Sequence, residues 1–329
     1  MNVSLPYRCL PCITALLLIC NAGAAGAEYP TKPIRFIVGP APSSGTDTVA
    51  RIVAQRLSDR LGQSVIVDNR PGAGGNIAAS IAAKATPDGY VLLFASASYA
   101  VNAVLYRKLS FDPLRDFVPV TLVGVVPQIL IVNPAVPAQN ARELIALARD
   151  KPGLVSYGSG GVGTTGHLAG ELFQMLTRAR IHHVPYKGNG PAVVDVIAGQ
   201  IQIAFVSTVN ALGHSRSGRV RGLAVTTAKR STAAPDLPTL AESGVPGYEM
   251  ASWYGVLAPR GVPLVVVEKL NRDIGAVLKL PDVESKLAAD GAEPAPGMPR
   301  QFDAFLKSEI ERVTRIVREA AIVVDRVTS

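Results

Sequence analysis

The chain has 329 residues and a formal net charge of +8, with only three cysteines and 5% aromatic residues. Cys9, Cys12 and Cys20 all fall in the first 27 residues, so the remainder holds no zinc–thiolate site and no cysteine nucleophile. The basic residues are scattered with few aromatics beside them, which argues against a nucleic-acid surface, where a basic stripe is interleaved with stacking platforms.

Residues 1–27 have the order of a secretory signal: "MNVSLPYR" with one positive charge, the apolar "ITALLLIC", then "NAGAAGA" ending in Ala25-Gly26-Ala27. The apolar run is far shorter than the ~20 residues a bilayer span requires. Cys20 would serve a lipoprotein signal, but Ile19 is bulky where a small residue is wanted, so a soluble exported protein is expected. Loss of Arg8 with the signal lowers the charge to +7, and about 300 residues remain, enough for two α/β domains with substantial cores.

"KPIRFIVG" reads as a buried strand running into "PAPSSGTD" and a helix. That helix buries Val49, Ile52, Val53, Leu57 and Leu61 on one face and closes at Gly62. "SVIVDN" is a strand, "RPGAGGN" a turn, Ile77 to Ala85 a helix and "YVLLFASAS" a third strand. "FVPVTLVGVVPQILIVNPAVP", two apolar runs broken by Pro127, reads as a crossing between lobes.

The second half replays the first: strand "LVSYG", loop "SGGVGTTGH", helix His167 to Leu176, strand "IHHVPY", turn "KGNGPA", helix Val193 to Ala198, strand "IQIAFVST". A second crossing, "YEMASWYGVLAP", follows the Pro- and Gly-rich stretch Ala234 to Gly247. Helices over Pro263–Leu280, Val283–Ala289 and Pro299–Ala321 end the chain. Alternating strands and helices predict a parallel-rich sheet in each of two lobes. With two crossings, domain 1 is discontinuous (28–128 plus 252–329) and domain 2 is 129–251.

Ligands of open α/β sheets bind beyond the carboxyl ends of strands, where helix N-termini present free N–H groups. Four Gly/Ser/Thr-rich strand ends fit: Ser43-Ser44-Gly45-Thr46, Ser96-Ala97-Ser98, Ser159 to Thr165, and Ser207-Thr208. Facing one another, they make a site for a small anion. Gly158, Gly160 and Gly163 match G-x-G-x-x-G, but no acidic residue between Glu171 and Asp195 is placed to take a ribose, and no Walker Lys-Ser/Thr pair occurs. A dinucleotide site is therefore not expected. Asp47, in a helix first turn, reads as a cap, since a carboxylate repels an anion. His167 either donates to the ligand or fixes its loop. His182 and His183 point to opposite faces of a strand and cannot jointly hold a metal. Tyr157 stands where a nucleophile elbow needs glycine, and no H-E-x-x-H pattern occurs. Trp253 and Tyr254 either line a cleft wall or, the better reading, pack the hinge.

Together, "YPTKPIRFIVGPAPSSGTDTVARIVAQRLSDRLGQSVIVDNRPGAGGNIAA", "ATPDGYVLLFAS", "LVSYGSGGVGTTGHLAGELF", "HVPYKGNGPAVVDVIAGQI" and "GLAVTTAKRSTAAPDLPTLAESGVPGYE" resemble the Bug proteins. These are extracytoplasmic solute receptors of the tripartite tricarboxylate transporter type, and the likeness runs to "LAADGAEPAPGMPRQFDAFLKSEIERV". The resemblance implies an α/β, two-lobed, type II-like Venus-flytrap receptor of the periplasm, monomeric, closing on a small organic carboxylate without cofactor, metal or catalysis. Its partners would be the membrane permease subunits of such a transporter, shared or absent in some cases. Carried over by position, it points to the loop Pro42, Ser43, Ser44, Thr46, Asp47, to Ser96 and Ser98, to Ser159, Thr164, Thr165 and His167, and to Ser207 and Thr208 as the part that varies with ligand. Two departures stand out. Ser43 and Ser44 replace glycines of the family loop, and "FVSTVN" lacks the acid many relatives carry, which favours a di- or aromatic carboxylate over an amino acid. The rival functions are a sensor presenting its ligand to a signalling receptor and a periplasmic hydrolase.

Overall fold

The computed structural model describes Met1 and residues 29–42, 44–106 and 108–322. The rest of the expected export signal, and Ser43, lie outside the described residues. The first half contains β1 (Ile34–Val38), α1 (Gly45–Leu61), β2 (Val65–Asn69), α2 (Asn76–Ala83), β3 (Val91–Ser96) and α3 (Ser98–Leu105), then the 16-residue β4 (Phe117–Val132). The second contains α4 (Ala141–Asp150), β5 (Ser156–Ser159), α5 (Thr165–Thr177), β6 (His182–Pro185), α6 (Asn189–Ile197), β7 (Ile203–Ser207), α7 (Thr208–Arg216) and β8 (Arg221–Val225). After these come β9 (Ala251–Pro259), α8 (Leu264–Val277), α9 (Pro281–Ala289), the two-residue β10 (Glu293–Pro294) and α10 (Pro299–Glu319).

The strands run β2-β1-β3-β9-β4-β7-β5-β6, with β8 and β10 also paired to β4. β1 is parallel to β2 and β3, and β5 to β6 and β7, as the alternating pattern requires. The two crossing segments supply the antiparallel pairs. β9 lies between β3 and β4, and β4 pairs with β7 and β8. The apolar runs around Pro127 form one strand, not two. Phe117–Pro127 bonds to β9 and Gln128–Val132 to β7 and β8, so Pro127, which lacks an N–H, stands where β4 changes partners.

Each end of the sheet is covered on both faces, so its strands are nearly continuous apolar runs. Ile34, Phe36 and Val38 of β1 pack against Val49, Val53 and Leu57 of α1 and Leu270 and Ile274 of α8, while Ile37 joins Ala78, Ala82 and Phe302 on the other face. Ion pairs tie the terminal helices to α1, Arg60 to Asp273 (2.9 Å) and Arg56 to Asp282 (2.8 Å). Alternation is equally strict beyond Pro127: Leu130 and Val132 face Tyr157, Leu172 and Phe205, whereas Ile129 and Ile131 face Val193 and Val196. Val313 and Ile316 of α10 join the second of these cores, so the last helix touches both ends of the sheet. Among the described residues, no helix is long and apolar enough to cross a membrane.

Candidate functional site

Three helix starts and two β-strands, β3 and β9, converge on a cleft of about 360 Å³. Thr46 is the second residue of α1, Ser98 the first of α3, and Thr164 and Thr165 are the N-cap and first residue of α5. All four line the cleft, with Ser96, Gly74, Ser252 and Tyr254 among them. First-turn N–H groups lack intrahelical partners and carry the positive end of the helix dipole, so they favour an anion. None of the described residues lining the cleft is charged. Ser96 and Ser98 share a hydrogen bond of 3.0 Å between hydroxyls. Asn102 donates to the Gly74 carbonyl (2.8 Å), holding the "RPGAGGN" turn against α3. Burial, then the neighbouring Asp290, pushes the Tyr254 phenol up to about 12, so it stays a neutral donor. A Cβ on Gly45 would lie 2.9 Å from that phenol oxygen, so glycine lets the start of α1 approach it.

The loop ahead of α5 is held from behind by a stack of rings. Gly163 N–H donates to His167 Nδ1 (3.0 Å), and Thr164 Oγ1 donates to the Gly161 carbonyl (2.7 Å). Ser159 Oγ accepts from Gly161 N–H (3.2 Å) and bonds His183 Nε2 (2.7 Å). The His167 ring lies 4.1 Å from that of His183, which lies 4.8 Å from that of Tyr157. Tyr157 in turn donates to Glu171 (2.6 Å). Burial drives His167 down to about 4; His183 falls to about 4 by burial and by its histidine neighbours. Both rings are neutral at ordinary pH, and His167 carries its proton on Nε2 because Nδ1 accepts. Burial also raises the Glu171 carboxyl.

Five of the sequence-derived site residues line the cleft: Thr46, Ser96, Ser98, Thr164 and Thr165. Ser43 lies outside the described residues, and the remaining ones lie elsewhere. Pro42 is exposed, and Ser44 caps α1 by accepting from Asp47 N–H (3.3 Å). Asp47 is buried, accepting from Arg51 (3.0 Å) and Asn69 (3.0 Å). Ser159 and His167 stand behind their loop. Ser207 donates to Asn210 (2.6 Å), and Thr208 packs near Gly291, where a Cβ would come 3.4 Å from its hydroxyl. Tyr254 lines the cleft while Trp253 is fully buried, edge-on to Phe302, so the two expected roles are divided between the pair. Sequence reasoning missed Gly74, Asn102, Tyr106 and the apolar Val101, Leu105 and Val162. The spacing Val101–Leu105 is a helical signal in a segment, beyond the strand ending at Ser98, to which the sequence reading assigned no element. Among the described residues no cluster of His, Cys, Asp or Glu is arranged to hold a metal.

A family model described as "Tripartite tricarboxylate transporter family receptor" matches residues 49–322. The protein BugT of Bordetella pertussis is 40% identical over 309 residues, spanning 92% of this chain and 95% of that protein. Among solved structures, R. palustris Rpa4515 with adipate is 39% identical with a TM-score of 0.73, covering 90% of this chain and 99% of that one. MatC of Rhodopseudomonas palustris with bound malate is 30% identical with a TM-score of 0.69, covering 88% and 100%.

Proposed function

The chain belongs to the tripartite tricarboxylate transporter receptor family, and on that premise we propose that it is a periplasmic receptor for a small organic carboxylate. The observation that carries this reading is a cleft with no charge among its described lining residues, walled by helix starts from both halves of the chain. A ligand touching Thr46 and Ser98 on one side and Thr164 and Thr165 on the other stabilises the closed form, because only that form makes both sets of contacts. Relatives bound to adipate and to malate support a carboxylate as cargo. The lobes are 28–128 plus 252–329 and 129–251, supported by the change of partners in β4 at Pro127 and the start of β9 at Ala251. Residues 1–27 act as the export signal, and the loaded monomer delivers its cargo, chemically unchanged, to membrane permease subunits.

Thermal shift against a panel of carboxylates tests the reading. A ligand that binds only the folded state raises its apparent stability, so at least one acid gives a saturable rise. Recovery of that acid unaltered after prolonged incubation excludes hydrolysis. Loss of uptake on gene deletion assigns transport; intact uptake with altered gene expression assigns sensing.

A further inference from the structure

We infer that the preferred cargo is a carboxylate joined to an apolar body, and that Val101, Leu105 and Val162 are the residues that select the body. The inference rests on the receptor reading above and narrows it. Along α3 the lining changes character. Ser98 opens the helix among the hydroxyls and free N–H groups, and Val101 and Leu105 follow on the same face, ending about 10 Å further along the axis. Val162, on the facing loop, is 51% exposed, and it lines the same cleft. The two sides come within contact range here, since a Cβ on Gly163 would sit 3.7 Å from Leu105 Cδ1.

The cleft is therefore polar where the helices begin and apolar beyond. One charged group is accommodated at the polar end. A second or third carboxylate directed along α3 would be stripped of water against valine and leucine, with no lysine, arginine or histidine among the described lining residues to receive it. The polar groups nearby carry no positive charge: Asn102 donates one of its amide hydrogens to the Gly74 carbonyl, and the other group is the Tyr106 phenol. An ammonium group is disfavoured for the matching reason, the absence of an acid from the described lining. Methylene groups or an aromatic ring placed there gain by leaving water.

Titration calorimetry on the purified full chain, freed of co-purified ligand by unfolding and refolding, tests this with propanoate, butanoate, pentanoate, hexanoate, phenylacetate, malate and citrate. Affinity should rise about fourfold per methylene from propanoate to hexanoate. Hexanoate and phenylacetate should bind tighter than malate and citrate. Val162→Ser, at an exposed site that leaves the fold intact, should weaken hexanoate about fivefold and leave propanoate unchanged. A flat chain-length series, tighter binding of malate or citrate, or an equal effect of Val162→Ser on short and long acids would overturn the inference and leave the receptor reading standing. If no acid binds a chain whose near-ultraviolet circular dichroism is native, the receptor reading falls, and this inference with it.

Discussion

Acid should weaken this protein through its buried imidazoles, and the contribution of one of them can be separated. His167 holds the loop that carries Thr164 and Thr165 by accepting from Gly163 N–H, and burial sets its pKa at about 4 against an ordinary 6.5. The unfolded chain therefore takes up the proton first as pH falls. The stabilisation is complete above 6.5 and is lost progressively toward 4. Integrated from pH 7 to pH 5, this one group removes about 2 kcal/mol. Glutamine at 167 keeps an acceptor for the Gly163 amide but has no proton to gain. Urea unfolding of the wild type and His167→Gln at both pH values reads the effect, the other titrating groups being shared, with His183 in the variant relieved of one histidine neighbour but still lowered by burial. The wild type should lose about 2 kcal/mol more than the variant across that interval. Equal losses would mean that His167 is not held neutral by its surroundings, and the account of the ring stack would be wrong.

Gly166→Ala places a methyl 2.4 Å from the Phe205 carbonyl oxygen, backbone against backbone, and should cost about 3 kcal/mol in denaturant unfolding; a change below about 0.5 kcal/mol would mean that α5 can draw back from β7. Tyr254→Phe removes a neutral donor from the cleft and should weaken carboxylate binding about tenfold with little change in Tm. Because no described lining residue is charged, raising salt from about 50 to 500 mM should alter Kd less than about threefold, whereas a steep loss would point to a cationic contact. Asn140→Ala removes the side chain that accepts from Glu143 N–H at the start of α4, and should lower stability by about 1 kcal/mol without affecting affinity.

Periodicity and punctuation carried most of the fold. Val49, Val53 and Leu57 announced α1, and Gly62 ends it in the left-handed conformation at φ 64°. The helices over α8, α9 and α10 emerged close to their observed bounds for the same reasons. What failed to show was structure set by tertiary context. Pro127 reads locally as a break, yet β4 passes through it because the ladder partner changes at that residue. α3 follows β3 so directly that Ser98 reads as the end of the strand. The site was half visible. Hydroxyl-rich loops advertise themselves, so Thr46, Ser96, Ser98, Thr164 and Thr165 were found. Val101, Leu105 and Val162 carry no chemistry that sets them apart from core residues, and only the approach of the two halves reveals them.

The position of β9 also bears on how the molecule is made. Leu93 finds its neighbour at Leu257, and β9 separates β3 from β4. Pairings so distant along the chain form slowly, because a long loop must be closed before the contacts repay it. A nascent polypeptide therefore cannot seal this sheet until synthesis has passed Pro259. For the exported receptor proposed above, that delay is useful: threading through a translocation channel requires an unlocked chain, and here the lock forms only after residue 251 has emerged.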